Sequence, residues 1–338
     1  MMTIPRMRRA IVFATDALEP VLELAQLAEA QHFDRVWTTE YVGRDAIARA
    51  LAIALRTTAI EIGTGVAYAF TRLPLAMAAI ASDVQRLSRG RFSLGISPGT
   101  RGVRRWFGAN FDPPAPMMVN YIAELRRAWD DGAKYDTPPP RVYSAAFNAI
   151  MTRHVAGVSD GLLLHPLAAG QTHFRERLLP AVERGAAGSA AMPELVAWRV
   201  TSLDPDEEVA RNRAKAQLAF YFSTPSYRTV VEGTPWEDVP ARIREKFDAS
   251  PNEPDWDRIG SLLPDDLVDE FALTGTPTSV RERLGKLETD LAHSGITELV
   301  FQTVGAGLGE AEVAENCRLI INELGPQIDN QTPKKGLA

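Results

Sequence analysis

The stretch that most constrains this chain runs from Ile60 to Arg101, IEIGTGVAYAFTRLPLAMAAIASDVQRLSRGRFSLGISPGTR. Two short apolar runs, Ile60–Val66 and Phe92–Ile96, each read as a strand that ends in a glycine-bearing turn. Between them the apolar spacing predicts a helix from near Pro74, a residue suited to a first helical turn, to Leu87. Ser88-Arg89-Gly90 then stops it. Strand, helix and strand in this order form a βαβ unit, so the fold depends on whether the unit repeats.

It does repeat. Arg9–Ala14, Phe33–Thr39, Arg141–Ala146, Asp160–His165, Glu194–Thr201 and Glu298–Val304 read as further strands. Helical periodicity falls between them at Val21–Ala30, Asp45–Leu55, Met117–Trp129, Ala149–Val155 and Gln171–Arg184, and again at Thr278–Ala292 and Glu310–Leu324. From Asp204 the rhythm loosens into a long helix, Glu207–Tyr221, followed by some fifty polar residues that include Trp and Pro. Eight strands, nearly all followed by helices, imply a parallel sheet closed as a (β/α)8 TIM barrel, with a helical insertion near residues 205–275. A doubly wound open sheet is the rival, but no GxGxxG follows the first strand. One domain, 1–325, is expected, with a flexible tail over 326–338.

Composition narrows the partners. In 338 residues, a net charge of −6 and no basic block argue against nucleic acid or an anionic membrane. No apolar run approaches the ~20 residues of a membrane span. A strand, and no signal core, follows the basic N-terminus, so the protein is expected in the cytoplasm. The single cysteine, Cys317, rules out an internal disulfide framework and reads as a core residue of the last helix.

In such a barrel the site lies at the C-terminal strand ends. The residues there are Thr15-Asp16, Glu40-Tyr41, Gly65-Val66-Ala67, Ser97-Pro98-Gly99-Thr100, Ser144-Ala145-Ala146, His165-Pro166, Ser202 and Thr303–Gly305. Few of them titrate, and no metal-binding spacing or G-x-S-x-G elbow occurs. Small residues let backbone N–H groups approach a phosphate, which suggests a large planar, phosphorylated cofactor. Plainer readings stand beside this one. The glycines also serve as turn punctuation, Glu40 as a solvated loop carboxylate, Tyr41 as packing and His165 as a loop-capping residue. His32, His154, His173 and His293 fall on predicted helices or their ends and read as surface residues. Arg101, Arg104 and Arg105 form either a solvated loop or a partner for an anionic tail.

The segments AEAQHFDRVWTTEY (28–41), IGTGVAYAFTRLPLAMA (62–78), LSRGRFSLGISPGTRG (87–102) and VAGVSDGLLLHPL (155–167) resemble the luciferase-like monooxygenase superfamily over nearly the whole chain. DGLLLHPL, LPAV (179–182), AFYFSTPSY (219–227) and VDEFALTGTPTSVRERL (268–284) resemble its branch that uses the deazaflavin coenzyme F420. The resemblance implies that Gly65 and Val66 form a bulge with a non-prolyl cis peptide behind the coenzyme's ring system, next to Ala67. It implies that Ser97, Pro98, Gly99 and Thr100 lie near the phosphate and side-chain hydroxyls, with Ser144, Ala145 and Ala146 supplying backbone on the same side. Glu40-Tyr41 match an acidic residue–His pair, so tyrosine stands here where the family has histidine. An imidazole acid or base at that position is therefore in doubt.

The implied activity is hydride transfer between F420 and a small organic substrate, with Glu40, Tyr41 and His165 as candidate proton-handling groups. Tyr221 and Tyr227 read either as a cover over the substrate or as structural packing. The alternatives are an FMN-dependent two-component monooxygenase and a non-catalytic flavin- or deazaflavin-binding protein. No metal is expected, and family members are often homodimers.

Overall fold

The computed structural model describes residues 6–130 and 137–326. The expected tail from residue 327 onward lies outside them. Ten strands occur among the described residues: β1 (Arg8–Val12), β2 (Arg35–Thr38), β3 (Glu61–Thr64), β4 (Ala67–Tyr68), β5 (Phe92–Ser97), β6 (Arg141–Ala146), β7 (Gly161–Leu164), β8 (Glu194–Leu203), β9 (Ala272–Gly275) and β10 (Ile296–Gln302). Eight of them close a ring in the order β1-β2-β3-β5-β6-β7-β8-β10. Every pairing is parallel, and β10 seals the ring by pairing with both β8 (Val300↔Trp198) and β1 (Ala10↔Val300). The chain is a (β/α)8 barrel.

Two strands were not legible in the sequence. β4 pairs beside β5 just past the end of β3. β9 adds to the last residues of β8, Val200–Leu203, on the edge beyond its last pairing with β7 at Ala197. The segment read as fifty polar residues is more ordered than its composition suggests. It holds helices Val239–Asp248, Trp256–Gly260 and Asp265–Phe271 and ends in β9. Helix Arg101–Trp106, in a stretch read as loop, is also present.

Side chains alternate across each strand, so the ring has two cores. Inside it lie Ala10, Val12, Trp37, Tyr143, Leu163, Val196, Trp198 and Val300. Outside it, residues such as Ile11, Val36, Ile62, Leu94 and Phe301 meet the apolar faces of the helices. Each such buried aliphatic side chain contributes about 1.5–3 kcal/mol. Cys317 is fully buried in this outer core. A third cluster, including Leu218, Phe222, Ile243, Leu267 and Phe271, belongs to the insertion and joins the barrel through Val200 and Val304.

The glycines of the opening motif are explained by this packing. A Cβ on Gly63 would sit 2.3 Å from the Trp37 ring, and one on Gly65 would sit 2.5 Å from the Trp198 ring. The two tryptophans fill the barrel interior because those positions are bare. Between β3 and β5 the ladder runs Gly63↔Ser93 and then resumes, through β4, at Ala67↔Ile96. One strand therefore carries an extra residue, a bulge. The Thr64 hydroxyl fills the gap, accepting from the Gly95 amide at 2.9 Å and donating to the Gly95 carbonyl at 2.7 Å.

Candidate active site

The bulge lies at the C-terminal end of the ring, where barrel sites are built. The Gly65–Val66 peptide is cis. Val66 packs against the interior cluster, its carbonyl accepts the Glu40 amide at 3.1 Å, and the Gly65 amide donates to Thr38. The ends of β2 and β3 are thereby fixed to each other. Ala67 is fully buried.

The three proton-handling candidates occupy different settings. Glu40 is buried, and its carboxylate accepts from the Tyr68 amide (3.2 Å), the Thr71 hydroxyl (3.3 Å) and Arg72 Nη1 (3.2 Å). Burial pushes its carboxyl pKa up, and Arg72 opposes that rise. Tyr41 is half-buried, with its ring edge-to-face with Trp106 at 6.0 Å and the Arg44 guanidinium 5.9 Å from its centroid. His165 lies in an aromatic cage. Tyr227 stacks on it at 4.5 Å, Tyr221 meets it edge-on at 4.7 Å, and Phe147 stands at 6.0 Å. Burial drives its pKa down to about 3, so the ring is neutral. Its Nδ1 accepts the Leu167 amide at 3.3 Å, which leaves the proton on Nε2. His165 is thus an oriented donor.

On the other side of the mouth, the Ser97 hydroxyl accepts the Gly99 amide at 2.9 Å, and Thr100 caps helix Arg101–Trp106 through the Val103 amide. Gly99 has φ +60°, and a Cβ there would press within 3.1 Å of Phe70, so the turn requires glycine. Arg104 is buried and clamps this turn, donating to the Pro98 and Gly99 carbonyls and pairing with Asp112. Arg101 and Arg105 are exposed. Ser144 turns out of the ring, its hydroxyl 2.8 Å from that of Ser159, so only its backbone faces this region. Ala145 is half-buried, and Ala146 ends β6. The bare turn Ser97–Thr100, with the small residues Ser144 and Ala145 on the neighbouring strand, fits a phosphorylated, planar group by size, while the Gly99 amide and the Pro98 and Gly99 carbonyls are already engaged.

Four residues that the sequence reading passed over belong to the same mouth. Arg72 holds Glu40 and also pairs with Asp45. Tyr68, directly after the bulge, stacks on Phe70 at 5.3 Å. Its phenol is pushed up by burial and by the neighbouring Tyr227, Glu40 and Tyr41. Arg44 projects beside Tyr41, and the Trp198 indole N–H is buried without a partner beneath Gly65. One signal was available. Asp45 directly precedes AIARALAIALR and caps that helix through the Ile47 and Ala48 amides, which fixes the Arg44 loop. One sequence reading is corrected. His173 is buried, with Nε2 3.1 Å from the Phe147 carbonyl, because its helix turns that face inward; His32, His154 and His293 are exposed.

No group of three or more metal-ligating side chains occurs among the described residues, and no described helix is long and apolar enough to cross a membrane.

The chain is 30% identical over 284 residues to a protein of Mycobacterium tuberculosis, covering 75% of this chain and 82% of that one. It is 26% identical over 340 residues to the 5,10-methylenetetrahydromethanopterin reductase of Archaeoglobus fulgidus, covering 95% and 100%. Among solved structures, the coenzyme F420-dependent tetrahydromethanopterin reductase of Methanopyrus kandleri superposes with a TM-score of 0.72 at 20% identity, covering 94% and 98%. The FMN-bound oxygenating constituent of 3,6-diketocamphane monooxygenase of Pseudomonas putida superposes with a TM-score of 0.62 at 15% identity, covering 96% and 99%. At such identities the superpositions speak for the fold alone. The sequence profile described as luciferase-like monooxygenase matches residues 2–294. The chain belongs to the luciferase-like monooxygenase family.

Proposed function

We propose that the protein is an oxidoreductase that transfers a hydride between coenzyme F420 and a small organic substrate at the barrel mouth. The observation that carries this reading is His165, a neutral imidazole with Nδ1 occupied and a donor Nε2–H, caged by Phe147, Tyr221 and Tyr227. Reducing a carbonyl or imine requires a proton at the heteroatom as well as a hydride at carbon. A desolvated neutral donor supplies hydrogen bonding to that atom without placing a second charge in the pocket. Tyr227, pushed up to about 12 by burial, is likewise a phenol at neutral pH and not a phenolate.

Gly65, Val66 and Ala67 would support the ring system, and Ser97–Thr100 with the Ser144–Ala146 backbone would hold the phosphate side. When bound, the coenzyme supplies the hydride chemistry at C5. The chain's own groups orient, exclude water and donate. His165 is assigned the hydrogen bond that polarises the heteroatom, and Tyr41 the proton that reaches it. Glu40, already engaged by Arg72, Thr71 and Tyr68, orders the loop between β2 and the bulge. Full-length relatedness to an archaeal methylenetetrahydromethanopterin reductase, together with the likeness to the coenzyme F420-dependent reductase of Methanopyrus kandleri, supports the deazaflavin.

A second reading, an FMN monooxygenase fed by a reductase, has the Pseudomonas putida similarity in its favour. Titration with each reduced coenzyme under air separates the two. Tight deazaflavin binding without oxygen uptake is expected. Oxygen consumption with reduced FMN, together with no deazaflavin binding, would overturn the first reading in favour of the second.

A further inference from the structure

A cavity of about 470 Å³ opens at the rim of the mouth, between the loop Glu40–Asp45 and the pair Trp106 and Phe107. Its two carboxylates are already committed. Glu40 and Asp45 share the Arg72 guanidinium, and the other oxygen of Asp45 caps the following helix. Arg44 is differently placed. Its side chain is only 17% exposed, and its Nε is buried without a hydrogen-bond partner. Its carboxylate partner is Asp16, 2.6 Å away and 74% exposed, a pairing that water weakens.

A second guanidinium crowds it. Arg49 is buried, donates to the Thr15 and Asp16 carbonyls, and has its pKa lowered by burial and then by Arg44. The Arg44 charge also reaches the phenols of Tyr68 and Tyr221, so it acts on the mouth itself. A largely enclosed cation beside an aromatic corner, where the Tyr41 and Trp106 rings meet edge-to-face and Phe107 is exposed next to them, has a definite chemical complement. It is an oxyanion attached to a planar apolar body.

We propose that this cavity is an anion-anchoring subsite in which Arg44 binds the carboxylate of a ligand whose flat apolar part lies against Tyr41, Trp106 and Phe107. Whether that acid belongs to the substrate or to the coenzyme is the part that rests on the function proposed above.

The probe is benzoate, with benzamide as its neutral counterpart. Binding is read by tryptophan fluorescence, since Trp106 forms one wall, and folding of each variant is checked by its thermal midpoint. Benzoate should bind the wild type and weaken about 10- to 100-fold in Arg44→Gln. Arg44→Lys should recover part of the loss. Asp16→Asn, which removes the competing carboxylate, should tighten binding, and this variant serves equally if Arg44→Gln does not fold. Benzamide should bind weakly and be indifferent to all three. No benzoate binding to the wild type, equal binding of benzamide, or an affinity unmoved by both Arg44→Gln and Asp16→Asn would overturn the proposal.

Titrating F420 and FMN alone then assigns the acid. Coenzyme affinity reduced in Arg44→Gln, with benzoate competing, gives it to the coenzyme. Unchanged coenzyme affinity without competition gives it to the substrate. A wild type that binds benzoate but neither coenzyme removes the proposed oxidoreductase function and leaves the subsite standing.

Discussion

The two ends of this barrel bury polar groups in different ways. At the N-terminal end, charge meets charge. Arg35, 1% exposed, pairs with Glu298 at 3.2 Å and with Glu61. The Trp37 indole donates to Glu298 at 2.8 Å, Arg8 joins through Glu61 at 2.7 Å, and the Arg35 guanidinium lies 4.8 Å from the Trp37 centroid. Burial alone would lower the Arg35 pKa, but Glu298 and its neighbours raise it, so the guanidinium stays charged. At the C-terminal end, ion pairs such as Arg72 with Glu40 stand at the rim, and the groups around the opening are neutral and unmatched: a histidine without a counterion, phenols that keep their protons, and an indole N–H and the Ser202 hydroxyl with no partner. The closed end satisfies its own polar groups and stabilises the fold. The open end leaves donors for something that is not protein.

This contrast can be broken at either end. Glu298→Ala should strip Arg35 of its buried counter-charge and cost about 3–5 kcal/mol in denaturant unfolding, with coenzyme affinity preserved in whatever fraction folds. Equal loss of coenzyme binding in folded protein would show that the ends are not independent. His165→Phe keeps the aromatic cage and removes the donor. Turnover should fall about 10²–10⁴-fold while the coenzyme dissociation constant and thermal midpoint hardly move. Unchanged turnover would remove His165 from the mechanism.

Gly65→Ala forces a methyl group against Trp198 and should cost about 1–3 kcal/mol, with Trp198→Phe in the same chain relieving part of it. A last effect is spread over a range of pH, small at each step. His165 has a folded pKa near 3, below the ordinary 6.5, so its contribution to stability is complete above pH 6.5 and drains as pH falls towards 3. Wild-type stability should decline there by about 1.4 kcal/mol per pH unit from this group, and His165→Gln should flatten that slope in unfolding curves taken at several pH values.

The ring itself was legible because each of its strands is an apolar run bounded by turn residues and separated by a helix. β9 was not, since its Ala-Leu-Thr-Gly is four residues long and is made a strand by the exposed edge of β8, a tertiary cause. The helices of the insertion escaped for a related reason. Their apolar faces are short and pack on one another, which leaves a polar average. At the site, position after a strand selected Glu40, Tyr41 and His165. Tyr68 stands in the short β4 and Arg72 lies beyond it, and both come back to Glu40 only through the bulge. Sequence spacing does not report such a return. Ser144 was read as supplying backbone, and its hydroxyl does leave the ring for Ser159.

The insertion was described above as having an apolar cluster of its own, joined to the barrel through Val200 and Val304. That cluster carries Tyr221 and Tyr227, which close over His165. Its consequence is a division of evolutionary labour. Mutation within residues 205–275 can reshape the roof over the reacting groups while the ring, the bulge and the charged plug at the far end keep their packing. Under the proposed function, a roof moved from a relative should alter substrate range while the ring keeps its packing.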